Sequence, residues 1–485
     1  MAFPDRPQMP DRARALISLD RTSTVPLFRQ ICERTRGAIV AGQLHPGERL
    51  PSARGLAAQL GAARGTVEAA YAILAGEGWI VARGAAGTIV APQLAQAASA
   101  TRSAPAPSRH GASDNRGGQP DPRPFRMGLP ALDAFPRKQW ARLVAREARA
   151  LSEAGLGYPD PAGDVRLREA IAAYLAISRG VPCAPDQVFV TAGYQGALSL
   201  IGLTLIVPGD PIWFEDPGYH LASQALRAAG ARLVPVPVDD DGMRVDWAIT
   251  QAPRARFAVV TPAHQSPLGV ALSLPRRLAL LAWAEANSAW VIEDDYDGEF
   301  HYAGRPLPAL KSLDHADVVL YAGSFSKVLF PGLRLGYLVA PARLVQRFSE
   351  AAPLFSAGCG RLEQAVVARF MVEGHFARHL KRMRGLYGTR RAALAEALGE
   401  VFGNRLQISL RSGGMHLLAR HSPDIPDTKL VRLAERRGLA PAALSAHMLV
   451  AECAPGLLLS FTNVPECRAQ GIAQDILQAI GNYVK

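Results

Sequence analysis

The stretch "GSFSKVLFPGLRLGY" (323–337) decides the reading of this 485-residue chain. Lys327 stands between small hydroxyl residues at the end of an apolar run, and Arg334 follows seven positions on. A lysine that forms an imine needs a lowered pKa or a captive aldehyde, and a phosphorylated aldehyde needs its phosphate fixed. Ser324, Ser326 and Arg334 offer hydroxyls and a guanidinium fork near one point. By itself the stretch fits equally well a buried strand end followed by a surface lysine and arginine. Lysine is scarce, however: only six occur, and none precedes Lys138.

Other segments favour the cofactor reading. "TAGYQGALSL" places Gly193, Tyr194 and Gln195 at a strand-to-helix turn, and a helix N-terminus welcomes phosphate. "EDPGYH" offers Tyr219 as a ring to stack on a flat heterocycle, although a lone tyrosine is more often a core or turn aromatic. In "IEDDYDGEF" an apolar strand runs into carboxylates, with Asp294 and Tyr296 two apart and so on one side. A carboxylate there can keep a pyridine nitrogen protonated while the phenol bonds the ring oxygen. A merely solvated acidic loop is the bland alternative; the spacing of a calcium loop is absent.

Around these segments, strand-like runs alternate with amphipathic ones, which predicts a mostly parallel sheet flanked by helices. The polar turn at each strand end is the edge where open α/β sheets bind ligands. "GGMHLLA" and "GLLLSF" are predicted strands of a smaller C-terminal subdomain. From about residue 92 to 124 the chain is rich in Ala, Ser, Pro, Gly and Arg and lacks large apolar residues, which predicts a flexible linker. The expected domains are therefore 1–91, a linker 92–124, and 125–485, the last with a large part to about 355 and a small part after it.

Composition adds bounds. Hydrophobic residues make up 49% and charged residues 20%, a globular balance. The net charge of +12 favours an anionic partner. Five scattered cysteines suit a reducing compartment and argue against a disulfide framework or zinc site, so no metal is expected. There is no signal-peptide pattern, and the longest apolar run, "LSLIGLTLIV", is too short for a membrane span, so a cytoplasmic protein is expected.

The first ninety residues have a different character. Ser52 is placed to cap a helix ending at Leu60, with Gly61 as its stop. A second helix starts near Ala63, and the short link is the length of a helix-turn-helix turn. "ARGAAGTIVA" predicts a two-stranded hairpin. Ser52, Arg54, Arg64 and Thr66 then lie at or near helix starts, and Gly87 in the hairpin turn, where side chains and free N–H groups meet phosphates and base edges. A small accessory domain with no nucleic-acid role has the same pattern.

"LPSARGLAAQLGAARGTVEAAYAILAGEGW" followed by "GAAGT" resembles the winged helix-turn-helix of GntR-type bacterial regulators. It departs from that pattern at the recognition-helix cap, where Ala63 replaces Ser, and in "EAA" after "TV", where Glu68 cannot grip phosphate. The order of TAGYQ, EDPGY, TPAHQSPLG, EDDYDGEF and SFSK…PGLRLGY is similar to fold-type I pyridoxal-phosphate (PLP) enzymes of the aspartate aminotransferase group. The two together resemble the MocR subfamily of GntR regulators, over about residues 24–464. That resemblance implies an α/β fold: a fold-type I PLP-dependent transferase-like domain behind an N-terminal winged helix-turn-helix. It implies a Schiff base on Lys327, Asp294 on the pyridine nitrogen, Tyr296 on the ring oxygen and Tyr219 stacked. Gly193, Tyr194, Gln195, Ser324, Ser326 and Arg334 are implied on the phosphate, and His264 and Gln265 at the ring edge, with Ser266 where aminotransferases carry Asn.

Three functions follow as expectations. The first is a PLP-dependent transcription regulator that senses PLP or an amine through imine chemistry, without physiological turnover. The second is a working aminotransferase with an accessory N-terminal domain. The third is a DNA-binding module whose C-terminal domain only dimerises. Aminotransferases hold the substrate carboxylate with an arginine before the last small-domain strand; "AECAPGLLLSF" has none, and Arg361, Arg411 and Arg420 are poor substitutes. This favours the regulator, expected to be a nucleoid-associated homodimer on repeated DNA half-sites, with its winged domains exchanged across the dimer by a linker reaching ~30 Å.

Overall fold

The computed structural model describes residues 18–84, 87–92, 122–304, 308–355, 359–422, 424–450 and 453–484. These form two compact units, one within residues 1–118 and one within 119–485. Most of the predicted linker, and Ala85 and Ala86 of the predicted hairpin turn, lie outside the described residues. The linker's last three residues are held by the second unit: Ala440 N–H donates to Pro124 O at 2.8 Å and Asn463 Nδ2 to Arg123 O at 2.6 Å.

In the first unit, α1 (Leu27–Val40), α2 (Ala53–Leu60) and α3 (Arg64–Gly76) pack over a sheet of β1 (Arg49–Leu50), β2 (Ile80–Ala82) and β3 (Thr88–Val90). Ile31, Leu56, Val67, Leu74, Ile80 and Val90 are almost wholly buried between them. Each such side chain contributes roughly 1.5–3 kcal/mol. The Ser52 hydroxyl caps α2 by accepting from Gly55 N–H at 3.1 Å, and Gly61 ends the helix in the left-handed region. The hairpin gains a third strand because β1 pairs with β3 as well. Ala63 precedes α3 with extended backbone and no side-chain cap. Ala63→Ser is therefore expected to stabilise this unit by ~1 kcal/mol, read as a higher melting transition of the N-terminal unit in calorimetry.

The second unit is built on an eight-stranded sheet in the order β4-β11-β10-β9-β8-β5-β6-β7. Its strands are β4 (Val188–Thr191), β5 (Pro211–Asp216), β6 (Arg232–Asp239), β7 (Gly242–Met243), β8 (Phe257–Val260), β9 (Trp290–Asp295), β10 (Val319–Ser324) and β11 (Gly336–Val339). The run from β10 through β6 is parallel, and β11 and β7 run antiparallel to their neighbours. Central strands such as "FAVV" of β8 are buried along their length, as a sheet covered on both faces requires. A second, antiparallel sheet follows: β12 (Gln407–Ser409), β13 (His416–Arg420), β14 (Ala442–Ala443) and β15 (Gly456–Ser460), in the order β12-β13-β15-β14. Among the described residues, no helix is long and apolar enough to cross a membrane.

Candidate functional site: a lysine cleft and a winged helix

The strand order brings distant segments to one edge. Ser324 ends β10, opposite Gly336 of β11, which lies opposite Thr191 at the end of β4. Helix α4 (Gly193–Leu205) starts directly after β4, without a side-chain cap. Its first N–H groups are left for a ligand. A Cβ on Gly336 would stand 2.8 Å from Gly193 Cα, so only glycine allows the strand and the helix start to meet. Arg334 adopts the left-handed region, φ 52°, rare for a non-glycine residue and typical of functional sites. Its guanidinium lies about the Gly193 turn and donates to Ala192 O at 3.4 Å. Ser324 accepts from Ser326 N–H at 3.2 Å, capping the short helix α5 (Phe325–Val328) that carries Lys327. Gly193, Ser324, Ser326 and Arg334 thus form one cup, with Gln195 in the same first helical turn.

Lys327 Nζ donates to Gly128 O at 2.9 Å. Burial pulls its pKa below the ordinary lysine value, opposed by the charges of Asp294 and Asp297. A Cβ on Gly128 would come 2.5 Å from Nζ. Gly128 escaped the sequence reading, since nothing in "RMGLP" signals a partner 199 residues away.

The acidic strand end sorts by alternation. Glu293 and Asp295 point to one face. There Glu293 accepts from Leu310 and Lys311 N–H, and Asp295 from Arg179 Nε at 2.7 Å and the Tyr321 hydroxyl at 2.6 Å. Asp294 points to the Lys327 face. It is 5% exposed, with the Tyr194 hydroxyl beside it, and its Oδ1 has no aligned hydrogen bond among the described residues. Burial, then the charges of Asp295 and Asp297, push its pKa well above the carboxylate range. Such an orphaned oxygen is costly unless a ligand donor completes it.

Two expected site residues direct their side chains elsewhere. The Tyr194 side chain does not join the cup: its hydroxyl faces Asp294, and its ring lies 6.4 Å from that of Tyr219. Only its backbone remains at the helix start, because the second residue of α4 turns its side chain toward β9. Nor does Gln265 line a ring edge. Its Nε2 donates to Pro217 O, Ser266 O and Glu215, and its Oε1 accepts from Leu268 N–H. It braces the turn that presents Tyr219. His264 does reach the site, with Nδ1 3.3 Å from the Tyr296 hydroxyl and 3.2 Å from Asp297 Oδ2.

The substitute arginines are occupied elsewhere or exposed. Arg411 donates to Asp240 at 3.0 Å, Arg420 to Ala454 O at 2.7 Å, and Arg361 stands exposed beside Gly155.

In the N-terminal unit Arg54 and Arg64 are exposed at the starts of α2 and α3, with Thr66 one turn into α3. Arg64 is paired: its Nε donates to Glu68 at 2.7 Å, an i,i+4 contact. Gly87, φ 88°, leaves room for Arg49, whose Nε would lie 2.9 Å from a Cβ there. Arg49, on β1 beside the hairpin, is a further exposed cation that the sequence reading passed over.

Residues 27–90 match the gntR family of bacterial regulatory proteins, and 132–452 match aminotransferase class I and II. The probable rhizopine catabolism regulatory protein MocR of Rhizobium meliloti is 38% identical over 467 residues, covering 94% of both chains. The chain belongs to the MocR-type GntR regulators. A second MocR-type relative, the pyridoxine biosynthesis regulator PdxR of Corynebacterium glutamicum, is 32% identical and covers 96% of this chain and 98% of its own. Among solved structures, the kynurenine aminotransferase of Pyrococcus horikoshii superposes with a TM-score of 0.68 at 26% identity, over 82% of this chain and 96% of that one. This MocR-type chain is thus a transcription regulator with an aminotransferase fold.

Proposed function

We propose that the protein is a DNA-binding regulator that holds PLP on Lys327 and senses PLP itself or an amine. One observation carries this reading: a buried carboxylate, Asp294, whose Oδ1 has no aligned hydrogen bond, faces a lysine of lowered pKa in the same chain as a winged helix. The residues fit PLP. Asp294 Oδ1 suits the protonated ring nitrogen, Tyr296 the ring oxygen, Tyr219 a ring face, and the Gly193–Ser324–Ser326–Arg334 cup the phosphate. When bound, PLP supplies an aldehyde that takes amines covalently. The chain's own groups orient it and exclude water, and a protonated ring nitrogen would offset the burial and neighbouring carboxylates that disfavour the charge of Asp294. Occupancy redirects the winged domains only by as much as the effector prefers one arrangement over the other.

On the DNA side, the starts of α2 and α3 carry the contacts, through Ser52, Arg54, Arg64 and Thr66, with Gly87 shaping the hairpin. The functional form is a homodimer on repeated half-sites, cytoplasmic and nucleoid-associated, with winged domains exchanged between protomers. Arg64→Ala is expected to weaken DNA binding across sequences and to lower the salt slope by about one. Glu68→Ala, which frees Arg64, is expected to do the opposite in the same titration.

The test is the visible absorbance of purified protein with PLP, titrated with amines. A protein that takes up no PLP contradicts the sensor. Steady keto-acid formation from an amino donor establishes the aminotransferase reading instead.

A further inference from the structure

We propose that Glu215 is a positioning residue for the cleft: its buried carboxyl group ties the turn that carries Tyr219 to the turn that carries His264. This rests on the reading of Lys327 as the cofactor anchor. It adds a residue that acts through its neighbours rather than by touching the cofactor.

Glu215 lies near the end of β5 and is 4% exposed. Three donors converge on its Oε2: the Thr261 hydroxyl at 2.6 Å, Thr261 N–H at 3.2 Å and Gln265 Nε2 at 3.2 Å. Thr261 directly follows β8, which pairs with β5, so one oxygen closes the ends of two neighbouring strands.

Each donor passes the constraint on. Thr261 Oγ1 donates to Glu215 and itself accepts from Ser266 N–H at 3.1 Å. The accepting oxygen of Glu215 requires the Gln265 amide to turn its NH2 toward it. In that orientation Nε2 also reaches Pro217 O at 2.8 Å and Ser266 O at 2.9 Å, while Oε1 accepts from Leu268 N–H at 2.9 Å. The turn before Tyr219 and the segment from His264 to Leu268 thus depend on one acceptor.

Neither segment lies in a helix or strand, so side-chain bonds decide its course. A separate hold on the Tyr219 turn faces the small subdomain: Asp216 accepts from Leu449 and Val450 N–H, and Gly218 N–H donates to His447 O. That hold does not reach His264, whose register against Tyr219 falls to Glu215. Burial pushes the Glu215 carboxyl up to about 7 against the hydrogen bonds from Thr261 and Gln265, so near neutral pH it serves as an acceptor more than as a charge. Glu215→Gln keeps an acceptor oxygen; Glu215→Ala leaves buried donors unmet.

The experiment is a PLP titration of the full-length protein, read by absorbance and by the circular dichroism of the bound cofactor. Glu215→Ala is expected to weaken PLP binding by about tenfold or more and to diminish the dichroism of the PLP that remains. Glu215→Gln is expected to stay within about threefold of wild type. Thr261→Val removes the bridging hydroxyl and keeps the backbone; it should fall between the two, and it carries the test if Glu215→Ala does not fold. Combined with Tyr219→Ala, the loss from Thr261→Val should be less than multiplicative, because a positioning residue acts through the groups it places. The inference is overturned if Glu215→Ala or Thr261→Val binds PLP like wild type, if Glu215→Gln is as weak as Glu215→Ala, or if the losses with Tyr219→Ala multiply. A wild-type protein that takes up no PLP would instead overturn the functional reading beneath it.

Discussion

Lys327→Ala is expected to abolish the visible absorbance that PLP acquires on the protein and to weaken PLP retention by about a hundredfold or more. In the proposed reading Lys327 is the covalent anchor, and its amine donates to Gly128 O at 2.9 Å. Its loss has a second consequence. The Lys327 charge favours ionisation of Asp294, opposing burial and the neighbouring carboxylates. Without it, Asp294 becomes harder to ionise and less able to hold a protonated ring nitrogen, so residual noncovalent binding also falls. Equilibrium dialysis with PLP, alongside the spectrum, separates the two effects. Retention within twofold of wild type would place the anchor elsewhere.

Asp294→Asn is expected to move stability and binding in opposite directions. In the ligand-free protein Asp294 is buried, its Oδ1 has no aligned hydrogen bond, and the charges of Asp295 and Asp297 oppose its ionisation. Removing that charge should raise ligand-free stability by roughly 1–3 kcal/mol. The same change replaces the ring-nitrogen acceptor by a neutral amide, so PLP affinity should fall at least about tenfold and the stabilisation that PLP confers should shrink with it. Thermal unfolding with and without PLP reads both. A variant less stable without ligand would show that Asp294 serves the fold rather than the site.

Much of this was legible in the sequence because the decisive signals are local. Ser52 and Gly61 bracket α2 through backbone rules that hold within one turn. Asp294 falls on the Lys327 side, and Glu293 and Asp295 on the other, because strand alternation is strict. Ser324, Ser326 and Arg334 converge because the connection carrying α5 folds β11 back antiparallel on β10. What escaped depends on contacts between distant segments or on competition for a donor. Gly128 meets Lys327 across 199 residues. Gln265 stands in a motif that reads as ring-facing, yet three acceptors around Pro217 and Ser266 claim its amide. Tyr194 shares its helix start with the cup, but a side chain's direction there is set by packing against β9. The Arg64–Glu68 pair shows the limit from the other side: its i,i+4 spacing lies in the sequence, while the pairing itself is seen only with the two groups 2.7 Å apart.

The central claim is that occupancy at Lys327 changes the grip on DNA. Its most direct measurement is DNA affinity, by fluorescence anisotropy, on duplexes selected by the full-length protein from genomic fragments, with and without PLP. PLP is expected to change the wild-type Kd by about tenfold, within the usual range of coupling energies, and to leave Lys327→Ala unchanged. A wild-type Kd that ignores PLP, or a Lys327→Ala protein that responds like wild type, would contradict the account.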